Sequence, residues 1–438
     1  MEYLPILFFV VVLIFLLMGF PVAFTLGGVS VVFGLLTFGL NFFNLLPLRI
    51  WGIMDNYVLI AVPLFIYMGV MLDKSGIAEE LLETMALLFG KLKGGLAISV
   101  LIVGALLGAS TGIVGATVVT MGVISLPVML KRGYHPRAAS GIIMASGTLG
   151  QIIPPSIILV LLGSVLNVPV GSLFIGAVIP GFLLVFLYFV WIVILTFIRP
   201  KSVPAMPKEE LDKFKGTVKV KRIINAFLLP FFLITAVLGS IFAGIASPTE
   251  AAALGAFGAT LLTIFRKRFR LDILKAVMLK TTSITSMAFM ILVGATAFSL
   301  VFRVMHGDII LEDWILNSNL EPHHFLAIVM FVIFILGFFI DFIEITFIVV
   351  PVVAPILISY HFSLLWVGIL IAMNLQTSFL TPPFGFSLFY LKGVAPKEVT
   401  TNYIYRGVIP YVIIQLIGLA IVIAWPDIAL WLPRVMKL

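Results

Sequence analysis

The chain has 438 residues, 62% of them hydrophobic and 11% charged, with a mean hydropathy of +1.25 and a formal net charge of +8. A soluble domain carries roughly a quarter charged residues, so most of this surface must be solvated by lipid, which excludes a water-soluble enzyme or nucleic-acid-binding domain. Zero cysteines exclude disulfides, thiolate metal sites and catalytic thiols, and the basic residues gather in short loops, which points to membrane topology rather than to a polyanionic partner.

The apolar runs are long and do not alternate, so the predicted elements are helices rather than barrel strands. At about 20 residues per span there is room for ten or more. The opening "MEYLPILFFVVV" lacks a basic n-region and a small-residue cleavage site, and reads as a retained first span. "GFPVAFTLGG", with Pro21 and Gly28, opens the second. "SGIAEELLETMALLFGKLKG" (75–94) has acids at its start and lysines at its end, which suits the helix macrodipole and predicts an arm lying in the interface.

A segment over about 95–130 follows, flanked by Lys91 and Lys93 on one side and "KRGYHPR" (131–137) on the other. Both flanks are basic and therefore cytoplasmic, so this segment is predicted to be a re-entrant hairpin. "GASTG" (108–112) lies near its tip, where small residues allow close backbone approach. A span over about 138–164 is then interrupted by "IPPSI", with Pro154 and Pro155. Proline in a helix interior costs roughly 3 kcal/mol or more, and in lipid the freed carbonyls need a cavity or another polar partner.

Two readings of such a break are open: a kink repaired by neighbouring helices, or a discontinuous helix whose unwound carbonyls bind a cation. The first half ends at 198. Residues 199–222, with eight Lys/Arg and three acids, form a predicted cytoplasmic linker.

The second half repeats these features. In "IASPTEAAALGAF", Pro248 and Gly255 each lie 227 residues after Pro21 and Gly28. Arg303 sits near the end of a span, where snorkelling to the interface accounts for it and contact with an anion or an acid partner is the second reading. "HGDIILEDWILNSNL" is the counterpart of the interfacial helix. A hairpin over about 325–358 has Gly337 near its tip, and its flanks "NLEPHH" and "SYHFS" lie in a stretch with no Lys or Arg between Arg303 and Lys392. That lack assigns it to the opposite side of the membrane.

Asp341 and Glu344 follow the tip, three apart on one helix face. An intramembrane acid is a functional candidate; for Glu344, capping a helix or facing trapped water is an equal alternative. A broken span over about 364–392 carries "TPPFG", with Pro382 and Pro383 at 228 residues after Pro154 and Pro155. Pro127 and Pro355 share that offset.

The fold class predicted from this pattern is an all-α polytopic membrane protein of two inverted repeats, 1–198 and 223–438, each with a re-entrant hairpin and a Pro-Pro-broken helix. The prolines are doubled, recur at the repeat offset, and follow the small-polar runs "ASGTLGQ" and "NLQTS". These features favour the functional reading of the breaks. There is no Walker loop, no H-E-x-x-H and no nucleophile–base pair at recognisable spacing, and His323-His324 reads as a span boundary.

With "GFPVAFTLGG", "GASTGIVGATVVTMG", "SGTLGQIIPPSI", "SPTEAAALGAF", "GFFIDFIEITFIVVP" and "LQTSFLTPPFGFSLFYLKGVAP" in place, the chain resembles the large membrane subunit of tripartite ATP-independent periplasmic (TRAP) transporters over nearly its full length. The resemblance implies the ion-transporter superfamily fold, an elevator mechanism, and inward transport of small organic anions, carboxylates or sulfonates, driven by sodium. It implies a periplasmic substrate-binding protein, a small four-helix membrane subunit expected here as a separate chain, and residence in the bacterial inner membrane.

The resemblance also implies two sodium ions, each held largely by main-chain carbonyls where a hairpin tip meets its broken helix. In this chain the matching positions are Ala109, Ser110, Gly150, Ile153 and Ser156 for one ion, and Gly337, Ser378, Thr381 and Phe384 for the other. Substrate is expected between them, near Ser110, Thr111, Gln376, Ser378 and Asp341. Many relatives have Glu where this chain has Gln376. The competing readings are a stand-alone sodium/dicarboxylate symporter or antiporter of the same superfamily, and an intramembrane enzyme or channel. Only Asp341 and Glu344 come near the acid pair an enzyme would need.

Overall fold

The computed structural model describes residues 3–40, 44–207, 223–318, 320–382 and 385–436. Pro383, Phe384 and the linker residues 208–222 lie outside the described residues. Among the described residues there is helix, turn and irregular connection but no strand. The sequence's unalternating apolar runs require this: in lipid only a helix satisfies all its backbone groups within one segment.

The chain opens with α1 (Leu4–Leu17), α2 (Val22–Phe38), α3 (Leu45–Met54), α4 (Ala61–Lys74) and α5 (Ile77–Phe89). Next come α6 (Gly95–Thr111), α7 (Val114–Lys131), α8 (Pro136–Thr148), α9 (Ile157–Leu166) and the long α10 (Val170–Ile198). After the linker follow α11 (Leu229–Phe242), α12 (Pro248–Phe265), α13 (Leu271–Val304) and α14 (Gly307–Asn317). The chain then forms α15 (Pro322–Leu336), α16 (Phe342–Ile348), α17 (Val350–Ser359), α18 (Leu364–Leu380), α19 (Phe386–Val394), α20 (Thr401–Ala424) and α21 (Asp427–Val435). Six of the described helices, counting α4 with its preceding turn, are long and apolar enough to cross a membrane, and α16 with α17 is a further such segment bent by 52°. The protein is thus a multi-pass, all-helical membrane protein.

Local sequence explains where the helices start and stop. α8, α12 and α15 each carry proline at their first position, where the missing N–H is no loss. Ser247 and Glu250 close a capping box at the start of α12. α5 ends at Phe89, so Lys91 and Lys93 lie beyond the helix rather than in its last turn. Its apolar face packs on α6, and its Glu80 takes ion pairs from Arg266 and Arg268 at 2.5 and 3.0 Å. The amphipathic pattern of 75–94 is therefore satisfied largely by protein.

Two packing relationships organise the rest. α2 lies along α13, and α12 lies along α4. α8 lies against α6 and α7 and also against α20. Main-chain bonds bring both ends of the α6–α7 segment to one strip of chain: Gly94 N donates to Val203 O (2.9 Å) and His135 N to Ser202 O (3.1 Å). The α15–α17 segment closes likewise, with Tyr360 Oη donating to Leu320 O (2.9 Å) and the rings of Phe325 and Tyr360 5.5 Å apart. Each segment leaves a point and returns to it, which sends its middle turn deep among the other helices.

Candidate functional site

At the middle of the first closed segment, Gly112 (φ +61) ends α6 in the left-handed conformation, and its N–H donates back to Gly108 O at 2.7 Å. The turn this makes is pressed against the break in the next span. A Cβ on Gly108 would fall 2.7 Å from Gly150 N, and one on Gly150 would fall 2.5 Å from Gly108 Cα. Real side chains do not tolerate such distances, so only glycine allows the two backbones to touch. The closest approach is at Gly108, one residue before Ala109.

α8 stops at Thr148, tightens into a 3-10 turn over Leu149–Gln151, and gives way to α9 at Ile157 after the two prolines. Ser156 Oγ donates to Gln151 O at 2.5 Å across this unwound strip, while Ile153 N donates to Leu149 O at 3.0 Å. The hydroxyls of the tip are engaged locally: Ser110 Oγ donates to Leu107 O (2.9 Å), and Thr111 Oγ1 pairs with Thr117 Oγ1 (2.8 Å). Behind them Gly69 of α4 leaves no room for a side chain against Ser110 and Thr111.

The second tip repeats the arrangement with different atoms. Gly337 ends α15, and a Cβ there would collide with Ser378 Oγ and lie 2.7 Å from Ser378 Cβ. Ser378 Oγ donates to Leu375 O (2.8 Å). α18 ends at Leu380, and Thr381 is extended (φ −86, ψ 123), as the residue before a proline must be. Thr381 N donates to Ser378 O (3.1 Å), Gly385 N to Thr381 O (3.0 Å), and Ser387 Oγ to Phe379 O (2.6 Å). Asn374 Nδ2 donates to Met330 O (2.6 Å), tying α18 to α15 beneath the tip.

Asp341 is the N-cap of α16: its Oδ1 accepts from Phe342 N (2.7 Å), and Glu344 Oε2 accepts from Asp341 N (2.9 Å), a complete capping box. Both acids also line a cavity of about 610 Å³ with Pro21, Phe24, Met287 and Met290. Arg303 does not join them. It is exposed in the last turn of α13, about 20 Å along the helix from Met290 at 1.5 Å per residue.

The two breaks are linked at the centre. Gln376 Nε2 donates to Thr148 Oγ1 at 3.5 Å, between residues 228 apart in sequence. Beside this bond, both amide atoms of Gln151 and the Oε1 of Gln376 are buried with no hydrogen-bond partner among the described residues. Buried amides ordinarily find partners, so this is a polar centre with bonding capacity to spare. The sequence-based candidates did not include Gly108, Thr148, Gln151 or Asn374. Thr148 carried a signal, since 148 plus the repeat offset of 228 is 376; Gln151 ends the same small-polar run as Gly150.

Chemically, the junctions present carbonyl and hydroxyl oxygens, the neutral donors with which broken membrane helices hold alkali cations. Ser378 O and Thr381 O each accept one main-chain bond and keep a second lone pair. Among the described residues no three His, Asp or Glu side chains gather into a metal-binding group.

Comparison with known proteins agrees with this architecture. Residues 9–428 match the family described as "Tripartite ATP-independent periplasmic transporter, DctM component". The chain is 31% identical to the C4-dicarboxylate TRAP transporter large permease protein DctM of Pseudomonas aeruginosa, over 93% of each chain. It is 28% identical to the sialic acid TRAP transporter large permease protein SiaM of Vibrio cholerae, over 95% of each. Among solved structures, the Alcanivorax borkumensis YdaH transporter shares the fold, with a TM-score of 0.65 at 14% identity over 99% of this chain and 98% of that one. A helical membrane protein with a polar centre at two backbone breaks, matched by this family over nearly its whole length, belongs to the large permease (DctM) component of the tripartite ATP-independent periplasmic transporters.

Proposed function

We propose that this chain imports a small organic anion, of carboxylate or sulfonate type, driven by sodium ions that travel with it. Two ions bind where Gly108 meets the 149–156 break and where Gly337 meets the break after Leu380, with Ser378, Thr381 and Phe384 supplying carbonyls at the second. Substrate binds between them, facing Gln376, Gln151 and Thr148. The observation that carries this reading is the pair of tip–break contacts joined by the Gln376–Thr148 bond. One connected element can then sense two ions and a substrate together, which is what coupled transport requires.

Two inverted repeats are the second part of the reading. In its support, α2 on α13 and α12 on α4 exchange partners under the 227-residue offset, as a pseudo-two-fold axis requires. An elevator movement would carry the tips and broken helices together past α2, α4, α12 and α13. Substrate arrives on a periplasmic binding protein, a separate small four-helix subunit completes the complex, and the bacterial inner membrane holds it. The relatives named for C4-dicarboxylate and sialic acid support an organic anion, and the tripartite family favours this over a stand-alone symporter.

The test is uptake by proteoliposomes containing this chain with its small subunit and binding protein. Uptake is expected to require an inward sodium gradient. Equal rates with potassium alone would refute the coupling.

A further inference from the structure

Away from both tips, three arginines from three different elements come near one another, unpaired with any acid among the described residues. Arg137 lies in the first turn of α8, Arg199 directly follows α10, and Arg406 lies near the start of α20. The Arg137 Nε donates to the main-chain carbonyl of Arg406 at 2.8 Å. Arg199 lines the same cleft as Arg137, and Gly407, the neighbour of Arg406, lines it too. Among the described residues no carboxylate pairs with any of the three. Like charges gathered in this way raise the local positive potential, which attracts an anion.

The place for it is a cleft of about 190 Å³, lined by Arg137 and Arg199 with His135, Ser202, Trp191 and Tyr411. His135 Nδ1 accepts from Arg137 N at 3.2 Å, which leaves the hydrogen of the neutral ring on Nε2 as a donor. The cleft thus offers guanidinium groups, an imidazole N–H and a hydroxyl, the donors that bind a phosphate. Its outer wall is the last two turns of α10, where Ile194, Phe197 and Ile198 are 39%, 80% and 66% exposed. Exposed apolar side chains directly below cations, with a tryptophan beside them, mark the depth at which a phospholipid headgroup sits above its chains.

We infer that this cleft is a binding site for the phosphate of an acidic phospholipid, seated by Arg137 and Arg199 with Arg406 at its rim, while its acyl chains lie along the exposed face of α10. The site binds α8, α10 and α20 at one end, on the side of the membrane that carries the basic loops.

The test is a thermal-shift titration of the purified full-length protein in neutral detergent with phosphatidylglycerol, phosphatidylcholine or inorganic phosphate. Phosphatidylglycerol is expected to raise the unfolding midpoint saturably and phosphatidylcholine to leave it unchanged. Arg199→Gln and Arg406→Gln are suited to the test because both side chains are exposed and neither makes a side-chain hydrogen bond among the described residues. Each is expected to weaken half-saturation about fivefold, and the double variant about 25-fold, from the usual attraction of a single basic residue to acidic lipid. Arg199→Lys/Arg406→Lys retains the shift, and Lys201→Gln, two residues from Arg199, leaves it unaltered. The inference is overturned if phosphatidylcholine acts equally, if the glutamine variants bind like the parent, or if Lys201→Gln weakens binding as much. A shift produced by inorganic phosphate alone, lost in the same variants, assigns the cleft to a soluble anion and overturns the lipid.

Discussion

Gly337→Ala isolates the contact on which the second ion site depends. The added Cβ would lie 2.7 Å from Ser378 Cβ, whereas carbon atoms rest at about 3.5–4.0 Å. The tip must therefore withdraw from the break by about 1 Å. Overpacking of this kind costs about 1–3 kcal/mol, which corresponds to about 5- to 150-fold in an equilibrium constant. If an ion is held between tip and break, that cost falls on the ion-bound state. The sodium concentration giving half-maximal uptake in proteoliposomes is expected to rise by the same factor.

Gly393→Ala is the matched control, since a Cβ there meets nothing within 4 Å. A second variant separates the contact from general damage. Gly337→Ala/Ser378→Gly moves the side chain from one surface to the other and is expected to recover most of the loss, less about 1 kcal/mol for glycine near a helix end. The reasoning is refuted if Gly337→Ala leaves sodium dependence within twofold of the parent, or if Gly393→Ala shifts it equally.

Further outcomes follow from the same geometry. Thr381→Val keeps the extended backbone and loses only the Oγ1 bond to Thr377 O (2.8 Å), so it is expected to alter sodium dependence less than Pro382→Ala, which releases the restraint on residue 381; uptake at varied sodium ranks the two, and the reverse order argues against carbonyl ligation. Gln376→Glu places a carboxylate about 3.5 Å from Thr148 Oγ1, whose hydrogen already goes to Ala145 O (2.9 Å), so the added charge faces the polar centre without a donor from that hydroxyl to offset it. It is expected to raise the KM for an anionic substrate at least about fivefold by like-charge repulsion, and an unchanged KM removes Gln376 from the substrate site. Because the chain has no cysteine, Lys131→Cys and His361→Cys can be labelled singly in the parent background. Labelling of both from one side of the membrane refutes the inverted arrangement.

How far the primary structure reached depended on the kind of interaction involved. Composition and the long, unalternating apolar runs determined that this is a helical membrane protein, because peptide groups in lipid must all be paired and a run without barrel alternation pairs them only as a helix. Proline chemistry is equally local, so the interruptions after Thr148 and Leu380 were legible as doublets 228 residues apart. The turn at Gly112 was legible too, since "GASTG" permits what its neighbours do not. Only the tertiary structure decided which atoms meet. That Gly108 rather than Ala109 touches Gly150, that Gln376 reaches Thr148, and that Arg137 and Arg199 share one cleft all depend on how preformed helices dock. Docking is set by the summed shapes of many side chains distant in sequence, and a shift of one residue along a helix turns the contact by about 100°.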